Sequence, residues 1–150
     1  MEAHYYNVNV EWKNDRLGKL TSPELEQTIE VATPPQFNKG IEGLWSPEHL
    51  FTAAVSSCFM TTFLAIAENS KLEFENFSCT SKGKLEQIDG KFLMSEVILE
   101  PKLKIKNSSD LEKAERILEK SEKACLISNS VNSKIILNPL VEISNEVILN

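Results

Sequence analysis

The segment from Leu50 to Ala67 carries no charged side chain, and it constrains the fold more than any other stretch of the chain. Directly before it, Ser46-Pro47-Glu48 reads as a helix start. A serine hydroxyl can cap the open N–H groups, proline suits the first helical position, and an acid suits the positive end of the dipole. The pattern predicts a helix from there to about Asn69. Such a run reaches the lower length limit of a membrane span. However, Thr52, Ser56, Ser57, Thr61 and Thr62 interrupt it with hydroxyls, and its immediate flanks offer no basic anchors. The expectation is therefore a helix inside a soluble core, with no membrane partner. Its apolar residues cover most of its circumference, so it should be enclosed on several sides. The small residues Ala53, Ala54, Ser56 and Ser57 should admit a close neighbour.

Strand patterns surround this helix. Tyr6, Val8, Val10 and Trp12 alternate with polar residues, which predicts a strand with one wet face. Asn14 to Gly18 is turn-like. Leu25, Gln27, Ile29 and Val31 make another alternating run, ended by Thr33-Pro34-Pro35. Phe74 to Leu85 reads as a strand, Asp89-Gly90 as a hairpin turn, and Leu93, Ser95, Val97, Leu99, Leu103 and Ile105 as one face of a long strand. Ser108-Ser109-Asp110 is expected to cap a second helix, whose apolar stripe is Leu111, Ala114, Ile117, Leu118, Ser121 and Cys125. Ser128-Asn129-Ser130 breaks it. Lys134 to Ile143 is a last strand with Pro139 inside it, which places that strand at an edge or a bulge. The order predicts an α+β fold rather than alternating βαβ units. At 150 residues the chain is expected to form a single domain, 1–150.

Composition removes several functions. Sixteen basic against 22 acidic residues leave a net charge of −6, the wrong sign for a phosphate-binding surface, so no nucleic-acid partner is expected. The sequence holds no GxGxxG, no GxxxxGK[ST] and no GxSxG. His4 and His49 are not spaced as a metal pair with each other or with a cysteine, and no metal is expected. The N-terminal residues lack the basic and apolar regions of a signal peptide, which makes the cytoplasm the expected location.

The three cysteines, Cys58, Cys79 and Cys125, cannot all pair within one chain, and none lies in a CxxC. They are buried inert thiols, one reactive thiol, or one working pair plus a spare. A reactive cysteine needs a stabilised thiolate. Cys58 lies too far into its helix for the N-terminus to supply this, so a cation is required. Arginine is scarce, with only Arg16 and Arg116. Arg16 sits in an early turn, where a loop can fold over a helix. Glu48 lies about three turns before Cys58 on roughly the same side, where a carboxylate could aim an arginine at the sulfur. Cys79, on a strand with no obvious cation, reads as structural.

The run Gly43 to Phe59, with Ser46-Pro47-Glu48 opening a helix and Ala53-Ala54-Val55-Ser56-Ser57 leading into Cys58, resembles the signature of the OsmC/Ohr family (osmotically inducible protein C and organic hydroperoxide resistance protein). Lys123 to Ser130, around Cys125, resembles the family's second cysteine motif. The resemblance extends along nearly the whole chain and implies an OsmC-like fold. In that fold a long central helix packs between antiparallel sheets in an intertwined homodimer, with two sites at the subunit interface. It implies a thiol-dependent peroxidase for organic hydroperoxides. Cys58 matches the peroxidatic and Cys125 the resolving cysteine, Arg16 the thiolate-stabilising arginine and Glu48 the acid that orients it. Lys19 is the alternative cation. Phe51, Phe59 and Trp45 are the candidates to contact an alkyl peroxide. The implied reductant is a dithiol, a lipoyl-bearing or thioredoxin-like protein, and no cofactor is implied. Leu126 departs from the family, which commonly has proline after the second cysteine. The alternative function is an OsmC-like dimer that has lost peroxidase activity and binds or senses a small molecule.

Overall fold

The computed structural model describes residues 1–144. They divide into two compact units, residues 1–50 and 51–150, the second described as far as Ser144.

The first unit holds an antiparallel three-stranded sheet, β1 (Asn9–Asn14), β2 (Leu17–Ser22) and β3 (Leu25–Ala32), joined in that order. The β1–β2 turn falls at Asp15-Arg16, with Asp15 at φ 45°, a conformation that aspartate tolerates better than most side chains. The first strand starts later than the alternation of Tyr6 and Val8 predicts. It also lacks the expected dry face, since every β1 residue is exposed, Val10 and Trp12 included. Within this unit a three-stranded sheet has no second layer to cover it. Beyond β3 the backbone is tied down where Ala32 N–H donates to Trp45 O at 2.9 Å.

Helix α1 (Pro47–Asn69) matches the expected bounds. The buried Ser46 caps it, its Oγ accepting the His49 N–H at 3.1 Å. Within the single chain, α1 is buried along one side only. Its fully buried positions are Val55, Phe59, Phe63 and Ala67, a single stripe at four-residue steps, while Met60 and Leu64 stay 39% and 41% exposed. Hydropathy says how apolar a helix is but not how many neighbours it has. Among the described residues α1 alone is long and apolar enough to cross a membrane. Its buried stripe instead packs on a sheet: Phe63 stacks on Phe77 with ring centroids 4.7 Å apart and meets Phe74 at 5.3 Å.

That sheet pairs β4 (Phe74–Ile88) antiparallel with β5 (Lys91–Ile105) through the Asp89-Gly90 turn, whose two residues both have positive φ. Gly83 is the point of close approach, because a Cβ there would stand 2.0 Å from Thr52 Oγ1 on α1. On β5 the alternate residues Val97, Leu99, Pro101, Leu103 and Ile105 are buried. Then come a 3-10 turn at Ser108–Asp110 and α2 (Leu111–Ala124), whose Ala114, Ile117, Leu118 and Ser121 face the core. The expected side-chain cap does not form there. Asp110 makes no side-chain cap bond, and the 3-10 turn leads directly into the helix.

The predicted last strand is two strands, β6 (Lys134–Leu137) and β7 (Leu140–Ile143), both parallel to β5, so this sheet is mixed rather than wholly antiparallel. Proline cannot donate to a ladder, and Pro139 falls in the break. Pro101 of β5 lies opposite that break, between the stretch paired with β6 and the stretch paired with β7. Asn138 N–H closes the gap onto Leu99 O at 2.8 Å. A parallel return also requires a crossover, which α2 supplies.

Candidate active site

Cys58 projects from α1 one position before the buried Phe59 and is itself half-buried. Adjacent helical residues point about 100° apart, so Cys58 flanks the core rather than entering it. Cys125 follows the last turn of α2. Its N–H still bonds Glu122 O at 3.3 Å, but its backbone has turned extended, with φ −65° and ψ 114°. Ser128–Ser130 forms a short 3-10 turn beyond it. Beyond this sharp exit the Cys125 side chain is fully buried, both thiols are free, and each lies near enough to the other to shift its acidity.

Their electrostatics differ in sign. Burial works to raise the Cys58 pKa, but hydrogen bonds from the Cys125 thiol, the Ile127 N–H, Thr62 and the Leu126 N–H outweigh it and bring Cys58 below the ordinary thiol range. Thr62 Oγ1 lies 3.9 Å from the sulfur, one turn along the same helix. Burial pushes Cys125 up and the neighbouring Cys58 thiol raises it further, against smaller opposing effects of Ser128, with the charge on Cys58 the least of these influences. The two acidities thus diverge: Cys58 gives up its proton more readily than Cys125 does. That is the state needed for nucleophilic attack by one sulfur and delayed attack by the other.

The remaining predicted residues are distributed as follows. Arg16 belongs to the first unit, at the exposed β1–β2 turn, where its carbonyl accepts the Thr33 N–H at 3.3 Å. It borders an open hollow of about 490 Å³ with Trp12, Leu17, Val31, Thr33 and Pro47. Glu48 stands in the first turn of α1, half-buried. Lys19 is across the ladder from Glu11 and Glu30. Trp45 is 50% exposed and meets the His49 ring edge-on, with centroids 6.2 Å apart. Phe51 is partly buried against the core. Phe59 departs from its expected place: it is wholly buried and packs against Phe77 at 6.1 Å, because it falls on the stripe of α1 that faces the sheet. Cys79, on β4 opposite Pro101, is half-buried beside the core with its sulfur 3.5 Å from Ser81 Oγ. Burial leaves its pKa raised. Among the described residues no cluster of three or more His, Cys, Asp or Glu side chains could hold a metal ion. Sequence reasoning missed the Thr62 hydroxyl and the two amides of Leu126 and Ile127. Thr62, at four residues after a cysteine in a helix, carried a readable signal, whereas backbone amides carry none.

Residues 37–139, which include both cysteines of the pair, match the model of the OsmC-like protein family. The chain is 25% identical over 140 residues to the uncharacterized protein YmaD of Bacillus subtilis, a match covering 90% of this chain and 91% of that one. Its fold is similar to that of an OsmC-like protein of unknown function from Vibrio cholerae, with a TM-score of 0.83, 23% identity and coverage of 92% and 100% of the two chains. It is also similar to an organic hydroperoxide resistance protein from Elizabethkingia anophelis solved with thiocyanate bound, with a TM-score of 0.76, 23% identity and coverage of 95% and 99%. With more than half of its length matched by the family model, the chain belongs to the OsmC-like protein family.

Proposed function

We propose that this protein is a thiol-dependent peroxidase that reduces organic hydroperoxides by a two-cysteine cycle. The observation that carries the reading is the proximity of the free thiols Cys58 and Cys125, each of which shifts the other's acidity, in opposite directions. The Cys58 thiolate attacks one peroxide oxygen and the O–O bond breaks. The sulfur is oxidised to a sulfenic acid, and the departing alkoxide takes a proton to become the alcohol. Cys125 then attacks the sulfenic sulfur. An S–S bond forms, the S–O bond breaks, and the hydroxyl leaves as water with the Cys125 proton. A dithiol returns both sulfurs to the reduced state through a mixed disulfide and is itself oxidised by two electrons. A lipoyl-bearing or thioredoxin-like protein fits that role, and a reducing cytoplasm is the setting in which the cycle can turn over.

Arg16 is assigned the guanidinium that adds charge stabilisation to the thiolate and binds the peroxide, with Glu48 orienting it. A planar donor fork suits this bridging better than an ammonium, which sets Arg16 ahead of Lys19. Trp45 and Phe51 are assigned to the alkyl group of the substrate. The full chain acts as one OsmC-like domain within a homodimer. The exposed apolar side chains of Val10, Trp12, Met60 and Leu64 support that reading, since burying them favours association.

The test is intact mass after one equivalent of cumene hydroperoxide. The reduced chain should lose two hydrogens, with the new bond mapped to Cys58–Cys125. An unchanged mass, with both thiols still titratable, would remove the peroxidase reading.

A further inference from the structure

The start of α1 carries a hydrogen-bonded side chain that the cycle above leaves unused. Ser46, wholly buried, caps the helix by accepting the His49 N–H, and its Oγ also stands 2.7 Å from His49 Nδ1. A serine hydroxyl has one proton to give. With Oγ accepting the amide, that proton goes to Nδ1, and the neutral imidazole carries its own proton on Nε2. The same ring, exposed at the surface, meets Trp45 edge-on at 6.2 Å. Trp45 O accepts the Ala32 N–H at 2.9 Å at the end of β3, and the next residue, Thr33, donates its N–H to Arg16 O at 3.3 Å. These bonds join the His49 ring, through the helix cap and the end of β3, to the backbone of the Arg16 turn. Glu48 lies between the two residues that the cap links.

We infer that His49 is a positioning residue. Its ring locks the Ser46 cap and so holds the first turn of α1, which carries Glu48, against the end of β3, to which the Arg16 turn is bonded. In a capping box, Glu or Gln at this helical position reaches back to the backbone of the capping residue. Here an imidazole takes the proton of the capping hydroxyl instead. A buried hydroxyl left without an acceptor is unfavourable, so loss of the ring loosens the cap and the turn built on it. The inference rests on the peroxidase reading, in which Glu48 orients the Arg16 guanidinium, but the lock itself can be measured without peroxide.

The experiment compares His49→Leu with His49→Asn in the full chain. The two replacements share one branched shape, but only asparagine has an acceptor on the branch where Nδ1 stands. Because His49 is exposed, neither replacement enters the core. Amide hydrogen exchange followed by NMR reads the lock. His49→Leu should speed exchange at position 49, Ala32 and Thr33 by roughly three- to tenfold, and His49→Asn should restore most of the protection. Stopped-flow oxidation by cumene hydroperoxide reads the use of the lock. His49→Leu should slow it by roughly three- to tenfold alone but by less than about twofold on top of Glu48→Gln, because a residue acting through Glu48 loses its effect with it. Unchanged exchange in His49→Leu, equal behaviour of the leucine and asparagine variants, or the same slowing with and without Glu48→Gln would each overturn the inference. If His49→Leu does not fold, the ring-nitrogen NMR shifts of the unaltered chain decide: a bare Nδ1 keeps the lock and a protonated one overturns it. An unaltered chain that ignores cumene hydroperoxide would remove the peroxidase reading. The exchange pattern then decides the lock alone, and only faster exchange in His49→Leu that His49→Asn reverses would keep it.

Discussion

Cys58 and Cys79 are both half-buried thiols beside the same core, one on α1 and one on β4, and burial is the largest influence on each. Their acidities nevertheless move in opposite directions. Cys79 has the Ser81 hydroxyl at 3.5 Å and one backbone hydrogen bond at Glu100, which do not offset its desolvation, and the Glu100 charge opposes them. Cys58 has Cys125, Thr62 and two amides, and together they do. The difference lies in the number of donors that converge on the sulfur. Exposure alone would not separate a reactive thiol from an inert one.

The strongest way to break the comparison is to remove Cys58. Cys58→Ser should lower hydroperoxide turnover on the order of a thousandfold or more, to the uncatalysed rate, as expected when a nucleophile is lost. Retention of full activity by that variant in a coupled dithiol assay would shift the chemistry to another residue. Next in size is Cys125→Ser. It should still consume one equivalent of peroxide but stop there, leaving a Cys58 sulfenic acid that dimedone traps and no internal disulfide by mass. A normal disulfide yield in Cys125→Ser would make Cys79 the resolving thiol and erase the distinction between the two.

The contrast between these sulfurs was only partly legible in the sequence. Local signals were readable because they depend on near neighbours: Ser46-Pro47-Glu48 capped α1, and Asp89-Gly90 turned β4 into β5. The break at Pro139 was located but not its form, because a proline marks a disturbance without saying whether the strand bends or divides. The apolar residues of α1 likewise do not say which of its sides is covered within the chain and which stays exposed. The meeting of Cys58 with Cys125 was not readable from either cysteine, and only the resemblance implied it. It depends on the path through β4, β5 and α2, and on an abrupt extended turn at Cys125. The amides of Leu126 and Ile127 were invisible, because every residue but proline carries one.

Arg16 is the next smaller perturbation. If it adds to the stabilisation of Cys58, Arg16→Ala should raise the Cys58 pKa by roughly one unit and slow oxidation at neutral pH about tenfold, measured by stopped-flow with cumene hydroperoxide. A rate unchanged by the substitution would assign the activation to the hydrogen bonds alone.

Cys79 supplies the smallest effect and the sharpest control. Because a thiol reacts as its thiolate, alkylation rises as pH passes the thiol's own pKa. Cys58 is shifted down and Cys79 up, so as pH is raised from acid, Cys58 should be labelled first and Cys79 only well into the alkaline range. Cys79→Ser should leave peroxide turnover in place and change stability by no more than about 1 kcal/mol, since a hydroxyl there can still bond Ser81. Labelling of both cysteines at the same pH would mean that the extra donors around Cys58 do not outweigh its burial in solution. The asymmetry between helix and strand would then have to come from accessibility instead.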